Sequence, residues 1–172
     1  PEESRQVLSK AAGLENRPLP EAADAIIREC NGHALALAML GKALRGKPAP
    51  RWNTALNRLR SADPDILPQV FAISLDALND ANLKERYVAL AVLLEDMRIT
   101  LPILQTLWQT ETEDAARTAD LFVDHSLATR PNPDDEAITL HDLQFDYIRA
   151  KRPDSLDLIH GAIRLSSHVI EK

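Results

Sequence analysis

Apolar residues recur along most of this chain at intervals of three and four, the spacing of a helical face. Ile26, Cys30, Leu37, Leu40 and Leu44 mark broad apolar faces across residues 20–45, interrupted near Gly32. Trp52, Ala55, Leu56 and Leu59 follow at i, i+3, i+4 and i+7 and predict a narrow amphipathic helix. Val70, Ile73, Ala77 and Leu78 share a further face, as do Tyr87, Leu90, Ala91 and Leu94. Thr110 with Glu113 has the form of a capping box, opening a helix that carries Ala119, Phe122 and Val123. The eleven prolines fall between these stretches, where a fixed φ and a missing N–H do least harm.

One region has the look of strands. Leu127–Arg130 and Ala137–Leu140 are short β-compatible runs around the polar, proline-rich segment Pro131-Asn132-Pro133-Asp134-Asp135-Glu136, which suits an exposed hairpin tip. Helices followed by a hairpin describe a winged helix. Leu156, Ile159, Ile163 and Ile170 then mark a last helix, the expected start of a second helical domain. The fold expected is mainly α: a small helical domain at 1–62, a winged-helix domain with one β-hairpin at 63–152, and the first helix of a further helical domain at 153–172.

Composition narrows the setting. The 172 residues are 45% hydrophobic and 27% charged, a globular balance with no run long enough to span a membrane. The net charge of −6 conceals a division. Residues 1–62 hold ten basic and six acidic residues, whereas 63–172 hold ten basic and twenty acidic. The basic residues of the first part (Arg28, Lys42, Arg45, Lys47, Arg51, Arg58, Arg60) are dispersed along the sequence, as solvated helix faces would have them. The chain opens on Pro1-Glu2-Glu3, which is not signal-peptide chemistry, and reads as a piece of a longer cytoplasmic protein.

Catalytic chemistry finds little footing. The five glycines form no GxxxxGK[ST] phosphate loop, the five histidines have no metal-ligand spacing, and a single cysteine allows no internal disulfide. Cys30 sits on an apolar helical face and reads as a buried structural thiol. His141 stands between the apolar end of a strand, Ile138-Thr139-Leu140, and Asp142, the expected N-cap of the next helix. Such a junction offers backbone N–H groups and an imidazole to an anion. The same position also suits a histidine satisfied by local backbone.

Four segments resemble the motifs of the nucleotide-switch (STAND / NB-ARC) ATPases of the apoptosome and plant resistance-protein type, with the apoptotic branch closest in pattern. Cys30-Asn31-Gly32-His33-Ala34-Leu35-Ala36-Leu37 is similar to their C-x-G-x-P-L-A-L segment, and Arg86–Asp96 to the start of their winged helix. Phe122-Val123-Asp124-His125-Ser126-Leu127 and Leu140-His141-Asp142-Leu143 resemble the next two landmarks, the last being their Met-His-Asp motif. All four occur in order.

The resemblance implies a regulatory, non-enzymatic fragment of a P-loop ATPase, acting in apoptosis-like signalling. An upstream domain would carry ADP or ATP, and a downstream repeat domain would sense the signal. His141 would meet the β-phosphate of ADP and Ser126 would lie near the nucleotide. Ala34 would take the place of a proline that touches adenine, with Leu35 beside it. No nucleotide is expected to bind the fragment tightly, and neither nucleic acid nor membrane is an expected partner. Oligomerisation is expected of the parent once ATP replaces ADP. The rival readings are a DNA-binding winged helix and a helical scaffold without a nucleotide role. The helix around 111–124 opposes the first, setting Glu111, Glu113, Asp114, Asp120 and Asp124 against Arg117.

Overall fold

The computed structural model describes residues 2–61 and 65–152, which form two compact units. Among the described residues the elements are α1 (Glu2–Ala12), α2 (Ala23–Glu29), α3 (Ala34–Leu44), α4 (Ala49–Arg60), α5 (Leu67–Ala77), α6 (Ala81–Ala89), α7 (Leu101–Trp108), α8 (Thr112–Asp124) and α9 (Asp142–Lys151). A 3-10 turn, Leu90–Val92, extends α6.

The first unit takes residues up to Asp80 together with Phe122–Leu127. Its centre is α3, whose Ala36, Leu37, Met39, Leu40, Ala43 and Leu44 are all buried. Helix α1 crosses α3 closely at Gly41. A Cβ there would stand 2.5 Å from Cβ of Ala11 and 2.9 Å from the carbonyl oxygen of Leu8, so only glycine admits the approach. Arg45 ties the same pair together by donating from Nε and Nη2 to the carbonyl of Ala11. The interruption expected near Gly32 is real. Asn31 and Gly32 both take positive φ, which ends α2 and lets α3 begin anew from His33. Trp52, Ala55, Leu56 and Leu59 of α4 are buried as their spacing predicts.

The boundary expected at 62/63 follows the prolines. The compact units instead divide after Asp80, because α5 packs on α3 and α4.

The second unit contains α6, α7, most of α8, the segment 128–141 and α9. Tyr87, Leu90, Ala91, Leu104, Ala115, Ala119, Ile138, Phe145 and Ile148 form its core. Arg149 of α9 clamps the 3-10 turn: Nη2 donates to the carbonyl of Leu93 at 2.9 Å, Nη1 pairs with Glu95, and the guanidinium lies 5.1 Å from the Phe145 ring. Leu94 departs from its expected face. The helix ends at Ala89 and Leu93 is extended, so Leu94 leaves the helical period and is 62% exposed.

The expected hairpin is reduced to isolated antiparallel bridges, Thr129 with Thr139 and, unforeseen, Ile99 with Ile138. Its tip is held by side chains rather than by a ladder. Asp135 accepts from Arg98 Nε at 2.7 Å and from the Ala137 N–H, while Arg130 donates to the Asp135 carbonyl and pairs with Asp120. The helix suggested by Leu156, Ile159, Ile163 and Ile170 lies outside the described residues.

Candidate functional site

His141 is the N-cap of α9, displacing Asp142, which becomes the first helical residue. The backbone at His141 is extended (φ −73°, ψ 148°), the conformation an N-cap requires. Its Nδ1 accepts from the Leu143 N–H at 3.2 Å. In return the His141 N–H donates to Oε1 of Gln144 at 2.8 Å, which completes a capping box. Gln144 is itself buried, so the reciprocal partner is held by packing.

This geometry decides the chemistry of the ring. A nitrogen that accepts carries no proton, so the neutral imidazole bears its hydrogen on Nε2. The His141 residue is exposed, and its Nε2–H is a donor aimed away from the cap. Part of the expected anion site is closed, however. The Leu143 N–H serves His141, while the Gln144 and Phe145 N–H groups both bond the His141 carbonyl.

Ala34 and Leu35 form the first turn of α3, the former exposed and the latter half-buried. Their N-cap is again a histidine: Nδ1 of His33 accepts from the Ala36 N–H at 3.5 Å. Sequence reasoning missed His33. The signal was its place, one residue after the positive-φ Gly32 and immediately before a helical run.

Ser126 follows α8 in a left-handed conformation (φ 57°), half-buried, with its N–H donating to the Val123 carbonyl. A left-handed residue at this place is a common way for a helix to end, and Gln109 does the same after α7. His125, the neighbour of Ser126, is half-buried, and Nδ1 is enclosed without a hydrogen-bond partner. Burial pushes the pKa of His125 down, the Asp124 charge opposes it, and the charges of Lys42, Arg45 and Lys47 add to the lowering. Ala34, Leu35 and Ser126 thus belong to the first unit and His141 to the second.

Helix α8 would be the recognition helix of a DNA-binding winged helix. Two of its carboxylates are engaged by the chain itself: Arg86 pairs with Asp114 at 2.7 Å and Arg130 pairs with Asp120. The expected Thr110–Glu113 capping box is absent. Thr110 Oγ1 instead donates to Asp114 Oδ2 at 2.7 Å, and the bonds from Thr110 and Arg86 hold the Asp114 carboxyl below its usual range. Cys30 is buried, and desolvation with the nearby Glu29 charge raises its thiol pKa to about 12. No group of His, Cys, Asp and Glu among the described residues could hold a metal ion. No described helix is long and apolar enough to cross a membrane.

Residues 82–148 match the winged-helix domain of apoptotic protease-activating factor 1-like proteins. They are a winged helix of that family. The similarity runs well beyond this segment. Human apoptotic protease-activating factor 1 is 30% identical over 174 residues, covering 94% of this chain and 14% of that protein. The zebrafish factor is 30% identical over 92% of this chain and 13% of its own length. The disease resistance protein ADR1 of Arabidopsis thaliana is 29% identical over 57% of the chain. The chain is thus related to apoptotic protease-activating factors and to plant disease resistance proteins, and spans about one-seventh of the factor's length.

Proposed function

We propose that the chain is the regulatory part of a nucleotide-switch ATPase, closing over ADP held by a P-loop domain of the same protein. His141 donates through Nε2–H to the β-phosphate. Ser126 lies near the nucleotide, and Ala34 with Leu35 offers an apolar surface to adenine. Exchange of ADP for ATP withdraws the phosphate contact and releases the winged helix for oligomerisation, a step read out through a downstream repeat domain. On this reading the protein is cytoplasmic, the fragment alone has no catalytic activity, the residues up to Asp80 correspond to the parent's helical domain, those from Ala81 to 152 to its winged helix, and 153–172 to the start of its second helical domain.

The observation that carries the proposal is the capping box at His141. It consumes Nδ1 and leaves Nε2–H as an outward donor, so the ring is pre-oriented before any phosphate arrives. A charge-assisted bond of this kind is worth roughly 1.5–3 kcal/mol. If made only in the closed state, it shifts the closed–open ratio by about tenfold or more.

The cap also dictates the test. His141→Leu removes the cap and the phosphate donor together, so a melting change there says nothing about nucleotide. His141→Asn retains an efficient cap and removes the imidazole. In the full-length protein, His141→Asn is expected to speed ADP release at least several-fold at nearly unchanged melting temperature. ADP release equal to that of the parent would refute the role given to His141.

A further inference from the structure

The basic residues of the first unit are scattered in sequence but gathered in the fold. Lys42 and Arg45 come from the end of α3 and Lys47 from the turn after it, and all three act on His125. Lys47 also joins Arg51 and Arg58 in lining a cleft of about 390 Å³ between α4 and α5. Arg51, Thr54 and Arg58 fall at i, i+3 and i+7, a single face of α4, and Ile73, Asp76 and Ala77 fall at i, i+3 and i+4 on one face of α5.

Three other arginines of this unit are already engaged: Arg5 with Asp24, Arg60 with Glu29, Arg45 with the Ala11 carbonyl. Arg58 reaches Asp76 at 3.0 Å. Lys47 and Arg51 are exposed and pair with no carboxylate among the described residues. Beneath them the cleft is lined by the buried Leu44, Ala55 and Ile73. Two uncommitted cations over an apolar floor form a mixed surface, in a chain whose net charge is −6.

We propose that this cleft docks a short acidic peptide segment of a protein partner. Its carboxylates would engage Lys47 and Arg51 while an intervening apolar side chain covers the Ile73 floor. A polyphosphate would satisfy the rim alone, leaving the floor wet and setting a dense negative charge beside Asp76. Separated carboxylates on a peptide avoid both faults, and guanidinium geometry suits them. The inference does not depend on the nucleotide reading.

The test uses the 172-residue chain and the blocked hexapeptide EELLEE, followed by amide chemical shifts and calorimetry at low and high salt. Shifts are expected at Lys47, Arg51, Ile73 and Ala77, with affinity falling as salt rises. The double variant Lys47→Ala/Arg51→Ala should bind at least tenfold more weakly, while Arg60→Ala, outside the cleft, should bind as the parent does. Both altered side chains are exposed, and circular dichroism checks that the fold persists. Undiminished binding by the double variant, shifts confined to other surfaces, or no binding at millimolar peptide would overturn the proposal. So would tripolyphosphate binding as tightly as the peptide, or a serine-for-leucine peptide (EESSEE) binding equally well.

Discussion

Two histidines end up doing the work that serine, threonine or aspartate usually does at helix starts. His33 and His141 each accept an N–H through Nδ1 in the first turn of the following helix. The consequence for His141 is a stability cost that can be separated from any ligand. An N-cap lost to an apolar residue costs roughly 0.5–2 kcal/mol, so His141→Leu should melt below His141→Asn by a few degrees even without nucleotide. Equal melting temperatures for the two variants would show that the cap contributes nothing. Cys30 makes the opposite case, a reactive type rendered inert. With its pKa raised to about 12 and its sulfur enclosed, almost no thiolate exists near neutrality. Iodoacetamide is expected to label it only as fast as the unit opens, at a rate that rises with sub-denaturing urea. Immediate labelling of the native chain would contradict its burial.

At the level of elements the tightest constraint is the α1–α3 crossing. Gly41→Ala would drive a methyl group into Ala11 and the Leu8 carbonyl, with no flexible side-chain end able to swing aside. Overpacking of this kind costs about 1–3 kcal/mol, and thermal melting should fall by several degrees although alanine is the better helix former. A stabilised variant would mean that the helices separate freely. This crossing was not legible in the sequence, where Gly41 simply follows the apolar run of residues 34–40 and precedes Lys42. What was legible is what local spacing governs: the buried face of α4, the break at Asn31-Gly32, and the Leu140-His141 junction. What was not legible depends on distant partners. Ile99 is bridged by Ile138, a pairing across 39 positions that no local pattern announces. Leu94 keeps the helical interval but follows a 3-10 turn, and the interval loses its meaning there. At the candidate site, the residue types could be picked out by resemblance. The tautomer that makes His141 a donor required the buried Gln144 and the Leu143 N–H to be seen in place.

On the scale of the whole molecule, the two units carry their acid-sensitive groups in different pH ranges. In the first, His125 has a folded pKa lowered from 6.5 by burial and by Lys42, Arg45 and Lys47. The unfolded chain therefore binds the proton more readily, and the stability tied to neutral His125 is full above 6.5 and declines as the pH falls through that value. In the second unit, Asp114 and Asp135 have carboxyls lowered from 3.8. For Asp114 the causes are bonds from Thr110 and Arg86; for Asp135 they are bonds from the Ala137 N–H and Arg98. Their contribution is intact well above 3.8 and is lost as the pH drops below it, toward the folded values. Each unit also has its own tryptophan among the described residues, Trp52 in the first and Trp108 in the second. Urea titrations of single-tryptophan variants can therefore follow the units separately. The Trp52 signal is expected to lose midpoint between pH 7 and 5, while the loss tied to Asp114 and Asp135 shows in the Trp108 signal only in the carboxylate range. Replacing His125 with asparagine should flatten the first response and leave the second unchanged. Coincident pH profiles for the two tryptophans, or an undiminished response of Trp52 in His125→Asn, would remove His125 as the source of the upper transition.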